Sequence, residues 1–307
     1  MRKDKSTRNA LTVTEELPTL WSSITFVEEI LLALTRLAML VFLLASMLDF
    51  GLGLGLGQVL APLRNARLLI PSLLVNFLVV PLLAVGIAHG VRLEPPFAIG
   101  LIVLGLAPGA PFIPKVVQLA RGNLAFAVGL MVLLMAGTVV FLPVVLPRVL
   151  AGVEVDASEI ARNLFVLMLL PLFAGLVVRA RVRSLPVWLR PALGLLSNLG
   201  GLTVLVLIVA MEYDSVLSVF GTGAILASVL LVVLSAAVGW LVGGADHGTR
   251  AALGLATGSR NVAAALVVGA RIPDPGVNVM VIVSALVALA VLLPAARVLG
   301  RHATRSG

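Results

Sequence analysis

Ala107-Pro108-Gly109-Ala110-Pro111-Phe112-Ile113-Pro114 interrupts an apolar run that extends roughly from 97 to 119. A proline removes a backbone donor and its ring clashes with the preceding turn, so this stretch cannot be continuous α-helix. The run around it has the length of a membrane span, about 20 residues. Unwound backbone at that depth survives only where protein or a wet cavity supplies hydrogen-bond partners. The stretch therefore predicts a membrane helix broken near its middle.

Ala256-Thr257-Gly258-Ser259-Arg260-Asn261 predicts a second break, polar and charged inside another apolar run. Pro108 and Gly258 lie about half the chain apart, and one further apolar span follows each break. Interrupted helices at corresponding places in two halves point to a transporter's binding site. The blander alternative is a proline kink in one helix and a snorkelling arginine in another; the matched placement weighs against it.

Composition agrees with a membrane setting. Of 307 residues, 60% are hydrophobic and 12% charged, against about half and a quarter in a soluble domain. Apolar segments at roughly 30–49, 68–90, 97–119, 124–147, 160–178, 192–211, 222–243, 251–271 and 276–296 predict an all-α integral membrane protein of about nine transmembrane helices. Residues 1–29 form a polar N-terminal segment with a basic start and no signal-peptide pattern, and a short membrane-surface helix is expected around Trp21–Glu29. Residues 30–296 form the transmembrane domain, in halves of about 30–147 and 160–296, and 297–307 a basic tail.

The net charge of +8 suggests nucleic acid, but its placement excludes that reading. Arg64, Arg67, Lys115, Arg121, Arg179, Arg181, Arg183, Arg190, Arg250, Arg297, Arg301 and Arg305 gather on one set of alternate loops and the tail. The other set holds Arg92, Arg148, Arg162 and Arg271 beside Glu94, Glu154, Asp156, Glu159, Glu212, Asp214 and Asp274. The first set, with the C-terminus, is cytoplasmic by the positive-inside rule, in a plasma-membrane protein. Nine spans then put the basic N-terminus outside, against its own charge.

No cysteine is present, which excludes disulfides and thiolate chemistry. The acids lie in loops, tails or helix ends, and His89, His247 and His302 all avoid mid-span. No span offers a carboxylate pair, metal cluster, nucleophile or proton relay, so no enzyme, cofactor or metal site is expected. Arg260 is the odd residue, because a central arginine costs about 2.5–3.5 kcal/mol on insertion scales. Two readings stay open: a structural residue bonded to carbonyls of the other broken helix, or a fixed charge facing an anion. Arg36 lies near enough to its helix start to snorkel with Glu28 or Glu29.

Over roughly residues 40–296 the sequence resembles the bile acid:sodium symporter family. The resemblance is carried by Phe50-Gly51-Leu52-Gly53-Leu54 with Arg64 beyond it, Asn76-Phe77 followed by Pro81, Pro108-Gly109, Leu119-Ala120-Arg121-Gly122-Asn123, and Gly258-Ser259-Arg260-Asn261-Val262-Ala263. It implies two inverted repeats divided into core and panel domains, with two broken helices crossing near the midplane. Matched from the C-terminus, the chain is expected to lack the family's first helix. Where the family ligates sodium through Ser-Asn, Glu and Gln, this chain has Ile113-Pro114, Ala256 and Arg260, and the expected hydroxyls fall in Met131–Met135. Asn76 stands where the family often has a Gln ligand.

The expected function is a secondary transporter of a small organic anion by alternating access, without sodium coupling. The alternative is a channel-like or non-transporting membrane protein on the same fold. Candidate substrate-binding residues are Arg260, Asn261, Ser259, Gly258 and Thr257 from the second break, Gly109, Ala110 and Pro111 from the first, and Asn76. The partners are an anionic substrate and the lipid bilayer; oligomeric state is not legible in the sequence.

Overall fold

The computed structural model describes residues 4–55, 57, 65–149, 156–182, 184, 186–211 and 213–303. Arg64, Glu154, Arg183, Glu212 and Arg305 lie outside them. The described residues are mostly helical and contain no strand. In order they form α1 (Asp4–Gly53), α2 (Ala66–Val91), α3 (Pro95–Gly105), α4 (Ile113–Leu119) and α5 (Leu124–Val149). Then come α6 (Ala157–Leu164, Phe165–Leu169 and Leu170–Arg181), α7 (Leu189–Met211), α8 (Tyr213–Ser218) and α9 (Ala224–Val242). The last three are α10 (His247–Gly258), α11 (Val262–Gly269) and α12 (Gly276–Ala303). Among the described residues, seven helices are long and apolar enough to cross a membrane. The expected spans 97–119 and 251–271 appear instead as the half-helix pairs α3/α4 and α10/α11.

Helix α1 corrects the reading of the N-terminus. Its backbone runs unbroken for 50 residues, about 75 Å at the α-helical rise. That is more than twice the ~30 Å hydrocarbon core. No separate surface helix forms around Trp21–Glu29; these residues lie within α1, whose backbone continues through Pro18.

Side-chain periodicity sets which face meets lipid. On α2, Ile70, Leu74, Leu78 and Leu82 recur every four residues and are more than half exposed, while Leu69, Ser72, Val75, Asn76 and Val80 are buried. With no hydrophobic drive between helices in lipid, close association depends on small residues. A methyl group on Gly51 of α1 would lie 2.8 Å from Gly175 Cα of α6, and one on Gly200 of α7 2.9 Å from the Ala38 carbonyl of α1. So α1 packs against both α6 and α7, and Asp49 of α1 pairs with Arg190 at the start of α7 at 3.0 Å.

The other helices form a second group around the breaks. Helix α9 packs on α10, and α12 lies against α3 and α9. Gly239 and Gly258 let α9 and α10 approach: a methyl at Gly239 would lie 2.7 Å from Thr257 Cβ, and one at Gly258 3.0 Å from Ala236 Cβ. The Leu119–Asn123 motif joins the two sets of half-helices. Arg121 turns left-handed at φ 53°, and Asn123 caps α5 by accepting from the Phe126 N–H at 3.1 Å. The Asn123 backbone N–H donates to the Gly248 carbonyl at 2.9 Å, docking this turn on the start of α10.

Asp246 caps α10 by accepting from the Thr249 hydroxyl and N–H, each at 2.7 Å. These bonds hold its carboxyl below the usual aspartate value. A lowered folded value means the stabilisation is complete above the unfolded value, about 3.9, and fades as pH falls through the folded one. Asp246→Ala is expected to cost about 1 kcal/mol of stability at neutral pH, with wild type and variant converging on acidification; melting curves in detergent across pH check this. Gly51→Leu is expected to cost about 1–3 kcal/mol through overpacking. Gly90→Ala, with nothing within 4 Å, is expected to hold stability or raise it by up to about 1 kcal/mol.

Candidate functional site

The two breaks meet. The first spans 106–112 and the second 259–261, shorter than its expected extent because α10 stays helical through Thr257 and Gly258. Pro108 and Arg260 pair as an isolated antiparallel bridge. The Asn261 N–H donates to the Ala107 carbonyl at 2.7 Å. Thr138 of α5 donates its hydroxyl to the Pro108 carbonyl at 2.8 Å. Gly109 takes φ +91°, where a Cβ would lie 2.6 Å from the Met135 nitrogen, so only glycine fits this turn. Pro114 lies in the first turn of α4, where a missing N–H is harmless.

Arg260 is 3% exposed. Its Nε donates to the Thr257 carbonyl at 3.2 Å, and Nη2 donates to the same carbonyl and to Asn76 Oδ1, the latter at 2.9 Å. Nη1 reaches the Gly105 carbonyl at 3.5 Å. Gly105 and Thr257 lie at the C-terminal ends of α3 and α10, where the helix dipole concentrates negative charge. Two negative helix ends and an amide oxygen therefore surround the guanidinium, and among the described residues no carboxylate pairs with it. The structural reading of Arg260 is thus present in the geometry.

Asn76 is positioned by a π turn, Val75–Val79, that runs into Pro81. A proline that cannot donate loosens the ladder behind it, and π turns commonly result at functional places. Asn76 Nδ2 donates to the Ser72 carbonyl at 2.9 Å and to Thr257 Oγ1 at 3.2 Å, so the amide braces both Arg260 and α10. Asn261 caps α11, accepting from the Ala264 N–H at 3.0 Å, while its own Nδ2 is buried without a partner. Ser259 donates back to the Leu255 carbonyl at 2.7 Å.

A cavity of about 350 Å³ lies where the group α1/α7 faces the broken helices. Phe42 of α1 and Asn198, Val204 and Leu205 of α7 form one wall. Opposite them stand Leu104, Phe112, Gly258 and Arg260, with Ser228 of α9 and Ser284 of α12; the two serine hydroxyls bond each other at 2.9 Å. Of the sequence candidates, Arg260 and Gly258 line this cavity, and Thr257 and Asn76 stand behind Arg260. Ser259 and Asn261 are fully buried, and Gly109, Ala110 and Pro111 are not in its lining. Phe42, Phe112, Asn198, Ser228 and Ser284 were not singled out from sequence; a lone Asn198 in an apolar run was the available signal. Ile113, Met131, Met135 and Ala256, at the positions compared with sodium ligands, are fully buried and apolar.

Residues 39–219, more than half of the chain, match the model of the Sodium Bile acid symporter family. The chain is 25% identical over 226 residues to a probable sodium/metabolite cotransporter, BASS1, of Arabidopsis thaliana chloroplasts, an alignment covering 72% of this chain and 56% of that protein. It is 25% identical over 208 residues to the uncharacterized sodium-dependent transporter YocS of Bacillus subtilis (strain 168), covering 66% of this chain and 62% of that one. A probable chloroplastic sodium/metabolite cotransporter of Oryza sativa subsp. japonica, BASS2, is 29% identical over 133 residues, 43% of this chain and 32% of the relative. The chain thus spans about 60% or less of the length of the curated relatives it matches. Seven apolar helices, two half-helix pairs joined at their breaks and the family match together make it a multi-pass membrane protein that belongs to the sodium bile acid symporter family.

Proposed function

We propose that the chain is a secondary carrier that moves a small organic anion by alternating access, without sodium coupling. In this reading α2–α5 and α9–α12 are inverted copies that make the core, and α1, α6 and α7 make the panel. The carrier sits in the plasma membrane with its C-terminus inside. The observation that carries the reading is the cavity between these groups, with the fixed charge of Arg260 in its wall. A guanidinium braced by backbone from behind stays protonated and aims remaining donor capacity at what enters. The rest of the wall is mostly apolar, which suits an anion with a hydrocarbon body.

Support for sodium independence comes from chemistry. A hard cation needs several oxygens and usually a carboxylate to replace its water. Here Ile113, Met131, Met135 and Ala256 supply none. The converging helix ends already hold a cation, the guanidinium. The three relatives are named for sodium/metabolite cotransport or sodium dependence, and in this reading the chain differs from them at these side chains.

Uptake into proteoliposomes, and melting temperature, are expected to be the same in sodium and in potassium at equal ionic strength. A large sodium-specific gain in either would overturn the ion reading, and uptake that never saturates would favour a channel. Arg260→Lys and Arg260→Gln are both expected to weaken anion binding, Gln on the order of tenfold or more, as for a lost charge-assisted bond. Asn76→Ala removes a brace but no cavity wall. It is expected to lower stability by about 1–3 kcal/mol and, by loosening the guanidinium, to weaken anion affinity less than Arg260→Gln does. Normal affinity in the Arg260→Gln variant would end the anion-site reading.

A further inference from the structure

The wall that faces Arg260 across the cavity is apolar at Phe42 of α1 and at Gly201, Val204 and Leu205 of α7, and polar at Asn198. The register of α7 puts the amide there. Asn198, Gly201 and Leu205 follow one another at spacings of three and four residues, so they fall on one stripe. All three line the cavity. Leu195, Leu199, Leu202 and Val206 form a neighbouring stripe, each more than half exposed, which is the side turned to lipid. Gly200 is buried on a third side, against the backbone of α1. Asn198 therefore stands on the cavity stripe of α7, not at a helix-packing contact.

Its hydrogen-bonding capacity is open. Asn198 is exposed, and its side-chain amide has no hydrogen bond among the described residues. The adjacent Ser197, by contrast, is bonded to Ser46 of α1. The other polar groups of the lining are spent within the protein. Ser228 donates to the Ala224 carbonyl at 2.9 Å, so the bond between Ser228 and Ser284 takes the Ser284 proton. That leaves one cation, on the side of the broken helices, and one open amide, on α7. A side-chain amide inside a span is costly unless water or a ligand meets it.

We propose that Asn198 is a specificity-determining residue of the Arg260 site, where it holds a neutral polar group at the far end of the anion whose carboxylate Arg260 binds. The substrate class is then a carboxylate with a hydroxyl or amide separated from it by a short hydrocarbon chain. A side-chain amide both donates and accepts, so it matches either group. It does not offset the cost of taking a second carboxylate out of water, so a dicarboxylate fits less well. The proposal rests on the carrier reading above. Arg260 belongs to the broken helices and Asn198 to α7, so the ligand crosses the seam between the two groups. A molecule bonded to both groups contacts them differently when they move apart, and only such a difference lets a ligand shift a conformational equilibrium.

Two measurements on the full chain test this. The chain has no cysteine, so Asn198→Cys in proteoliposomes reports on this position alone. Membrane-impermeant thiosulfonate reagents are expected to label it, the anionic reagent severalfold faster than the cationic one because of the nearby guanidinium, and adding Arg260→Gln is expected to remove that preference. A cysteine that neither reagent labels would place the side chain in lipid or against a second copy, and would overturn the proposal. The second measurement is binding, read as thermal stabilisation in detergent. The probes are ω-hydroxyalkanoates of four to six carbons, each against the n-alkanoate in which a methyl replaces the hydroxyl, with pimelate as the dicarboxylate. At least one hydroxy acid is expected to bind on the order of tenfold more tightly than its alkanoate and than pimelate. Asn198→Leu is expected to erase that gain, with Asn198→Ala as a second variant should Leu fold poorly. Equal binding within every pair overturns the proposal, as does a gain that survives both variants or no binding by any probe. Alkanoate binding that depends on Arg260, with no gain from the hydroxyl, would end the Asn198 contact and keep the anion site. A gain that depends on Asn198 but is indifferent to Arg260→Gln would keep the contact and end the anion site.

Discussion

Backbone freed from a helix inside a membrane has no water to bond, and the rest of this structure follows from how that is resolved. Two breaks open two helices, and each supplies partners to the other. Asn261 donates to Ala107, Pro108 bridges Arg260, and Thr138 closes on Pro108 from α5. An unsatisfied group at this depth costs several kcal/mol, so neither break is tolerable alone. The arginine answers the same constraint. The carbonyls left over where α3 and α10 end converge with an amide oxygen into a negative pocket, and a guanidinium fills it with directed donors.

That arrangement gives Arg260 two faces. Toward the helices it is a structural cation, holding Gly105, Thr257 and Asn76 in one cluster. Toward the cavity it is a fixed charge in an apolar wall. The structural and anion-facing readings of this residue are therefore compatible. The bonds that brace the guanidinium also orient it, and a braced donor loses less freedom when it binds.

The division into two groups of helices explains where empty space can exist. Within each group, glycines at 51, 175 and 200, and at 239 and 258, bring backbones into close contact. Between the groups the facing residues include Phe42, Leu205, Leu266 and Leu289, and the cavity beside Arg260 lies on that seam. A seam packed less tightly than the bodies it separates is where rigid-body movement meets least resistance.

Much of this was legible in the sequence because its causes are local. Twenty-residue apolar runs have few alternatives to membrane helices. Three prolines and a glycine within eight residues disfavour one continuous helix, where single prolines such as Pro143 and Pro294 are carried inside α5 and α12, and Arg260 in an apolar run announces a buried partner. The end of the second break was not legible: Thr257 and Gly258 look like loop residues, yet packing against Gly239 and Ala236 keeps them helical. The length of α1 was missed for a related reason, since polar composition does not by itself end a helix.

The sequence by itself thus determined the solvent, the spans and the positions where helices had to break, since these follow from hydropathy and backbone chemistry within a few residues. Only the tertiary structure decided what the broken segments touch, and so what the site is. Asn76, Gly105, Thr257 and Arg260 converge through a π turn and two helix ends, while Gly109 packs at Met135 and Ala110 and Pro111 stay out of the cavity lining. Ser228 and Ser284 are ordinary polar residues in two separate spans, and nothing local marks them. A cavity wall is assembled from one side chain per turn on several helices, and which turns face one another is set by packing across the chain.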